Sequence, residues 1–272
     1  MQPAEGAVGE LPGGGRVIFP GRRFVALYGH PQISGLGVLG QQDLPGSIAR
    51  AADLAGQYRP LSDVPVIPTF EIIASYADAA PGPDGDYSAE STVESLRPWV
   101  EAAGAAGLYV VLDLQPGRAD FLTQAKRYTD LLTLPFVGLA LDPEWRLGPT
   151  QLHLEQIGGV DAAEVNTVID WLAELTSTHQ LPQKLLVLHQ FRLSMLRDQQ
   201  QLSTDNPKVA VLIHMDGQGA PGLKDETWAA VVQAAGPGAP LGWKNFYKKD
   251  TPMLTPEQTM SKTPTPLMIS YQ

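Results

Sequence analysis

Short apolar runs recur along the chain, each closed by glycine, proline or polar residues and then followed by a segment with helical spacing. They read RFVALYGHP, VPVIPTFEI, GLYVVLDLQPG, PFVGLALDPEW, KLLVLHQF, KVAVLIHMDGQG, the weaker APLGWKNFY, and PLMISYQ. Runs that are apolar on both faces and alternate with helices specify the strands of a buried parallel sheet. Between them, DAAEVNTVIDWLAELTSTHQ sets Val165, Val168, Ile169, Leu172 and Leu175 on one helical face, and Asp161 followed by Glu164 predicts a capping box at its start. RADFLTQAKRYTDLLT and DETWAAVVQAAG show the same periodicity. Eight strand-plus-helix units predict an α/β fold of the (β/α)8, TIM-like barrel type, with a doubly wound open sheet as the alternative. The last run ends at Gln272, so the barrel is expected to lack a normal last helix, with the segment around RVIFPG covering that side.

The opening MQPAEGAVGELPGGGR is small, polar and glycine-rich, which predicts a flexible N-terminal linker over residues 1–20 and a single barrel domain over 21–272. A net charge of -10 leaves no basic surface for a phosphate backbone, which excludes nucleic acid and an anionic membrane as partners. No run nears the roughly 18 apolar residues of a membrane span, so no membrane insertion is expected. The absence of cysteine excludes disulfides, thiolate metal sites and thiol nucleophiles. An extracellular or cell-envelope location is expected, with any targeting signal outside this sequence; the oligomeric state is left open.

Residues 35–40, GLGVLG, match G-x-G-x-x-G, but HPQIS separates them from the preceding strand and the helix is expected only near Ser47. A pyrophosphate needs the helix N-terminus inside the motif, so nucleotide binding is set aside.

The strand ends carry the chemistry. Side chains alternate along a strand, so Gly138, Ala140, Asp142 and Glu144 share one face of VGLALDPE while Val137, Leu139 and Leu141 share the other. Pro143 cannot donate to a ladder, so pairing should fail there and release Glu144 onto the rim. The other C-terminal strand ends supply Tyr28, His30, Glu71, Asp113, Gln115 with Arg118, His189, Gln190, His214, Asp216, Trp243, Lys244 and Tyr271, joined by Trp145 behind Glu144. The opposite ends offer only Arg23, Lys184 and Lys208. Barrel enzymes place their chemistry on the C-terminal rim.

Without thiols or a G-x-S-x-G elbow, carboxylates remain as the reactive groups. A glycoside hydrolase cleaving a polysaccharide or glycoconjugate needs one protonated and one ionised carboxyl. Asp142 and Glu144, two residues apart, can couple their titrations to that end, with Asp113 and Asp216 as further partners. Tyr28, Trp145, Trp243 and Tyr271 offer planes for sugar rings, and the remaining rim groups offer hydrogen bonds for a carbohydrate substrate. Two alternatives stay open. Glu71, Asp113, Glu144, His189, His214 and Asp216 are ligand types for a metal-dependent hydrolase, although no H-x-H or H-E-x-x-H spacing is present, so no metal or cofactor is assigned. A non-catalytic barrel binding carbohydrate or cell wall through the same rim is the other.

GLALDPEW also resembles the strand-four signature of chitinase-type (family 18-like) glycosidases, within the TIM-barrel glycoside hydrolase superfamily. The resemblance implies Glu144 as the proton donor and Asp142 as its assisting aspartate, with Met215 and Asp216 echoing a later methionine–aspartate pair. Ala140 stands where that signature has its first acid, and Tyr271 where such chains usually end in tryptophan.

Overall fold

The structure, a computed structural model, describes residues 9–272. Eight parallel strands follow one another around a barrel: β1 (Arg23–His30), β2 (Val66–Ala77), β3 (Tyr109–Leu114), β4 (Val137–Leu141), β5 (Lys184–Gln190), β6 (Val209–Met215), β7 (Leu241–Asn245) and β8 (Met268–Tyr271). Phe24 of β1 faces Ile67 of β2 on one side and Met268 of β8 on the other, so the sheet closes on itself and the open-sheet alternative falls. The crossovers carry α1 (Leu44–Tyr58), α2 (Val93–Ala105), α3 (Phe121–Arg127), α4 (Thr129–Leu132), α5 (Ala162–Thr178), α6 (Pro221–Ala235) and α7 (Pro256–Met260).

Alternation sorts the core into two shells. Leu139 and Leu141 join Val25, Leu27, Phe70, Ile72, Leu186 and Leu188 in the outer shell beneath the helices. Phe24, Ala26, Ile67, Tyr109, Val111, Ala140, Leu185, Val187 and Leu212 fill the barrel interior. A barrel of eight strands is just wide enough for side chains to fill, which makes small residues obligatory where a large neighbour crosses. A Cβ on Gly138 would sit 2.6 Å from the Leu185 carbonyl oxygen and 2.8 Å from the Tyr109 hydroxyl. We therefore expect Gly138→Ala to lower stability by about 1–3 kcal/mol through overpacking, read as a drop in the urea midpoint at unchanged slope.

Most helix starts follow local chemistry. The Asp43, Thr92 and Asp120 side chains accept from the backbone N–H groups of Gly46, Ser95 and Thr123, satisfying donors that the first turn leaves free. The capping box expected at Asp161 and Glu164 does not form. Asp161 pairs with Arg197, and Glu164 takes a bidentate bond from Arg146, since an arginine fork outcompetes a backbone amide for an accessible carboxylate. A capping box is present instead at Thr255 and Gln258.

Residues 1–8 of the expected linker lie outside the described residues, but the stretch that follows is packed. Leu11 and Ile18, 3% and 0% exposed, enter the inner shell with Phe24 and Tyr109 and close the N-terminal mouth of the barrel. Arg22 holds this floor by donating to the carbonyls of Pro12 and Gly14. RVIFPG thus plugs the barrel from below rather than covering its flank. GLGVLG contributes to a strand, Ile33–Gly37, that folds back antiparallel onto β1; α1 begins at Leu44, beyond the motif.

Candidate functional site

The inward positions at the C-terminal ends of the strands converge as a layer of polar groups above the apolar barrel interior. Tyr28, Glu71, Asp113, His189, His214, Lys244 and Ser270 occupy it, all buried. His189 is at its centre. Its Nε2 lies 3.0 Å from Glu71 Oε1 and 3.7 Å from Asp113 Oδ1, while its Nδ1 lies 3.2 Å from Asp216 Oδ2, a charge contact off the hydrogen-bonding direction of the ring nitrogen. Tyr28 donates its hydroxyl to Asp113 Oδ2 at 2.8 Å and receives a bond from Gln115 Nε2 at 3.3 Å. Lys244 Nζ stands 3.4 Å over the Tyr28 ring. His214 Nε2 meets the Ser270 hydroxyl at 2.7 Å, and its ring lies so close over Gly242 that a Cβ there would fall 2.0 Å from Nδ1.

At the end of β4, Asp142 and Glu144 split in depth. The chain leaves the ladder at Leu141, and Asp142 caps the single turn Pro143–Trp145 by accepting from the Glu144 N–H at 3.2 Å. Asp142 is 3% exposed, whereas Glu144 is only partly buried. Glu144, Asp142 and Asp216 line one cavity of about 330 Å³ with Tyr28, Trp145, Phe191, Lys244 and Phe246 around them.

Five carboxyls, Glu71, Asp113, Asp142, Glu144 and Asp216, are thus gathered around His189 and Lys244, close enough for charge on one to oppose charge on the next. Burial above all pushes Asp113 up to about 6, with Glu71 adding repulsion against the pull of His189. Burial also holds Asp142 well above the usual carboxylate range. Burial first, and then repulsion from Asp216, pushes Glu144 up to about 7. Asp216 moves the other way: burial alone would raise it, but its contact with His189 outweighs this and keeps it below its ordinary value. His189 is opposed by burial yet lifted well above its ordinary value by Asp216 and Glu71. His214, buried beside cationic His189, is held well below. The cavity wall thus pairs a carboxyl pushed towards its protonated form with one held towards its ionised form.

Of the remaining expected residues, all but Trp145 lie apart. His30 bonds the Ser91 hydroxyl at 2.9 Å and stacks edge-on against Tyr76. Arg118 donates to the Gln151 carbonyl and covers the Tyr87 ring at 4.1 Å. Gln190, Trp243 and Tyr271 face the outer shell: Gln190 bonds Gln199, Trp243 packs against Trp228, and Tyr271 meets Tyr58. Each neighbours an inward residue in sequence, so the period of two turns it away. Trp145 does line the cavity and stacks near His153 at 5.6 Å. Phe191, Phe246, Gln218 and Ser270 were not among the expected residues. Ser270 could have been found by alternation from Met268, but the other three stand in loops with no periodicity to place them.

Among the described residues, the only three carboxylate or imidazole groups with donor atoms within 4.8 Å of one another are Asp84, Asp86 and Glu90, in the insertion after β2. Arg127 stands 3.1 Å from Asp84 and 3.6 Å from Glu90. At the rim, both His189 nitrogens face carboxylates, an arrangement of an imidazolium rather than of a neutral metal ligand.

No family model matches the chain, and no curated protein does. Among solved structures, the chain is similar in fold to an oxaloacetate acetylhydrolase bound to the inhibitor 3,3-difluorooxalacetate, at TM-score 0.52 and 14% identity over 96% of this chain and 75% of that one. It is also similar to a Xanthomonas albilineans dihydropteroate synthase, at TM-score 0.43 and 13% identity over 93% and 88% of the two chains. A Thermotoga maritima Cel5A in complex with cellobiose gives TM-score 0.43 and 11% identity, again over 93% and 88%. The fold is a TIM barrel, a framework that serves several kinds of enzyme. Among the described residues no helix is long and apolar enough to cross a membrane.

Proposed function

We propose that the protein is a glycoside hydrolase, with Glu144 as the general acid and Asp216 as the ionised partner that acts as nucleophile, water activator or stabiliser of the charged ring. One observation carries the proposal: on the wall of a single cavity, Glu144 is pushed up to about 7 by burial and by Asp216, while Asp216 is held ionised by His189. Splitting two carboxyls in this way assigns acid and base, because the protonated one can donate to a leaving oxygen while the other meets positive charge developing at the sugar. Asp142 lines the same cavity more deeply than Glu144, and Asp113 lies beneath it; burial raises both and so favours their neutral forms beside the pair. Trp145, Phe191 and Phe246 supply apolar planes, and Gln115, Gln218 and Lys244 supply polar groups for hydroxyls. An extracellular or envelope location accompanies that substrate class as part of the same proposal.

The test is a panel of polysaccharides offered to wild type and to Glu144→Gln, with chelator-treated wild type alongside. Hydrolysis by wild type, survival of activity after chelation and its loss in Glu144→Gln support the proposal. Binding without turnover replaces it with a carbohydrate-binding barrel, and activity that chelation removes and added metal restores replaces it with a metal-dependent hydrolase. In the supporting case kcat/KM should fall as pH rises through about 7, the value to which Glu144 is pushed, because deprotonation removes the acid.

A further inference from the structure

The acidic cavity does not end at Phe246. A second cavity of about 260 Å³ adjoins it, sharing Gly35, Gln218, Phe246 and Gln272 as a common wall. Its lining has the opposite character: Arg50, Lys248 and Lys249 border it, and among the described residues no aspartate or glutamate side chain does. In a chain of net charge -10, three cations gathered around one concavity run against the overall field. Among the described residues none of the three forms an ion pair with a carboxylate. Arg50 is nevertheless held in place: it donates to Gln42 Oε1 at 2.9 Å and lies 5.3 Å over the Tyr247 ring. Tyr247, 41% exposed, lines the same cavity with its ring 5.5 Å from that of Tyr271, anchored by its N–H to the main-chain oxygen of Gln272 at 2.9 Å.

We propose that this annex is a subsite for an anionic sugar unit, one bearing a carboxylate or a phosphate, so that the substrate is an acidic glycan lying across both cavities. The proposal rests on reading the rim cavity as a sugar site. The division of charge fixes the orientation. A carboxylate or phosphate beside Glu144 and Asp216 would be repelled, so the bond to be cleaved lies over the acidic cavity and the anionic unit one subsite away, beside Tyr247. A neutral sugar gains only hydrogen bonds from the three cations, whereas an anionic one adds three partly exposed charge contacts.

The test is equilibrium binding to full-length Glu144→Gln protein by calorimetry, with tetragalacturonic acid, its fully methyl-esterified form and an oligosaccharide ending in mannose 6-phosphate. The expected result is that at least one anionic probe binds about tenfold or more tightly than the neutral ester at low ionic strength, the gap closing with added salt, as a few exposed charge contacts imply. The arm that shows the preference identifies carboxylate or phosphate as the group recognised. Adding Lys248→Ala and Lys249→Ala should bring the ratio of anionic to neutral affinity close to one, with an unchanged melting curve showing that the fold is intact. Equal affinity for charged and neutral probes, no binding of either anionic probe, or a preference that survives those substitutions overturns the proposal. Wild-type hydrolysis of neutral glycans without an anionic preference removes the subsite and leaves the glycosidase; an anionic preference with no hydrolysis of any glycan does the reverse.

Discussion

Glu144→Gln should lower kcat/KM on a glycan with a poor leaving group by about 10²–10⁴-fold, the usual contribution of a positioned general acid. Glutamine keeps the shape of the side chain and its place after Pro143, but has no proton to give. The same variant should be more stable than wild type at alkaline pH. Burial raises the Glu144 carboxyl from 4.5 to about 7, so the folded protein binds more protons than the unfolded chain between those values. Stability accordingly falls as pH rises across that window, and the cost stays in place above it. Glutamine removes the cost, which predicts a gain on the order of 2 kcal/mol at pH 8 that vanishes near pH 4. Urea denaturation at the two pH values checks the sign; a variant destabilised at pH 8 would show that Glu144 is a structural group.

The second large effect is expected at His189. It is fully buried and faces Glu71, Asp113 and Asp216. His189→Gln removes what is, among the described residues, the only cation within 4 Å of these carboxylates and strands them, for which a loss of about 3–5 kcal/mol is expected. The pH dependence follows from the shifts. His189 is raised above its ordinary value, so its stabilisation is complete at lower pH and fades only as pH climbs through the raised value. On the acid side Asp113, at about 6, takes up a proton and no longer needs the cation. The deficit of His189→Gln should therefore be smaller at pH 5 than at pH 7. A second readout separates this role from simple packing: Asp216 loses the contact that keeps it ionised, so the acid limb of any residual pH–rate profile should move upward. A variant as stable as wild type at pH 7, with the limb unmoved, would contradict this account.

The barrel was legible because its strands follow one simple rule. Strand β4 is the clearest case: the period of two that set Ala140 inward and Leu139 and Leu141 outward is the period found in the structure. Nearness to a strand end singles out Trp243, Tyr271 and Gln190, but the same period of two turns them outward. Their neighbours Lys244, Ser270 and His189 are the inward residues. Asp161 shows the limit of local motifs, because the arginine that claims its carboxylate lies 36 positions away in the chain. The floor made by Leu11 and Ile18 was hidden by the glycines and prolines around them; two apolar residues with no periodicity give no sign that a barrel mouth waits for them. The central position of His189 was also out of reach, because its contacts come from strands β2 and β3 and from the end of β6, and only the three-dimensional register brings them together. The identity of the rim acids could be read from the chain, whereas their division into protonated and ionised members depends on depth and on that one imidazole.

Whether Glu144 gives a proton to the departing oxygen is read from a leaving-group series. Wild type and Glu144→Ala would be compared on aryl glycosides of one sugar whose phenols range from strongly acidic to weakly acidic, with kcat/KM measured at pH 6. If Glu144 is the acid, the variant keeps most of its rate on the most acidic phenol, which leaves without help, and loses progressively more as the phenol becomes less acidic, so that its rate depends steeply on the leaving group while that of wild type does not. A uniform loss across the series, with the two dependences parallel, would mean that Glu144 holds the substrate or the fold and that the proton comes from elsewhere.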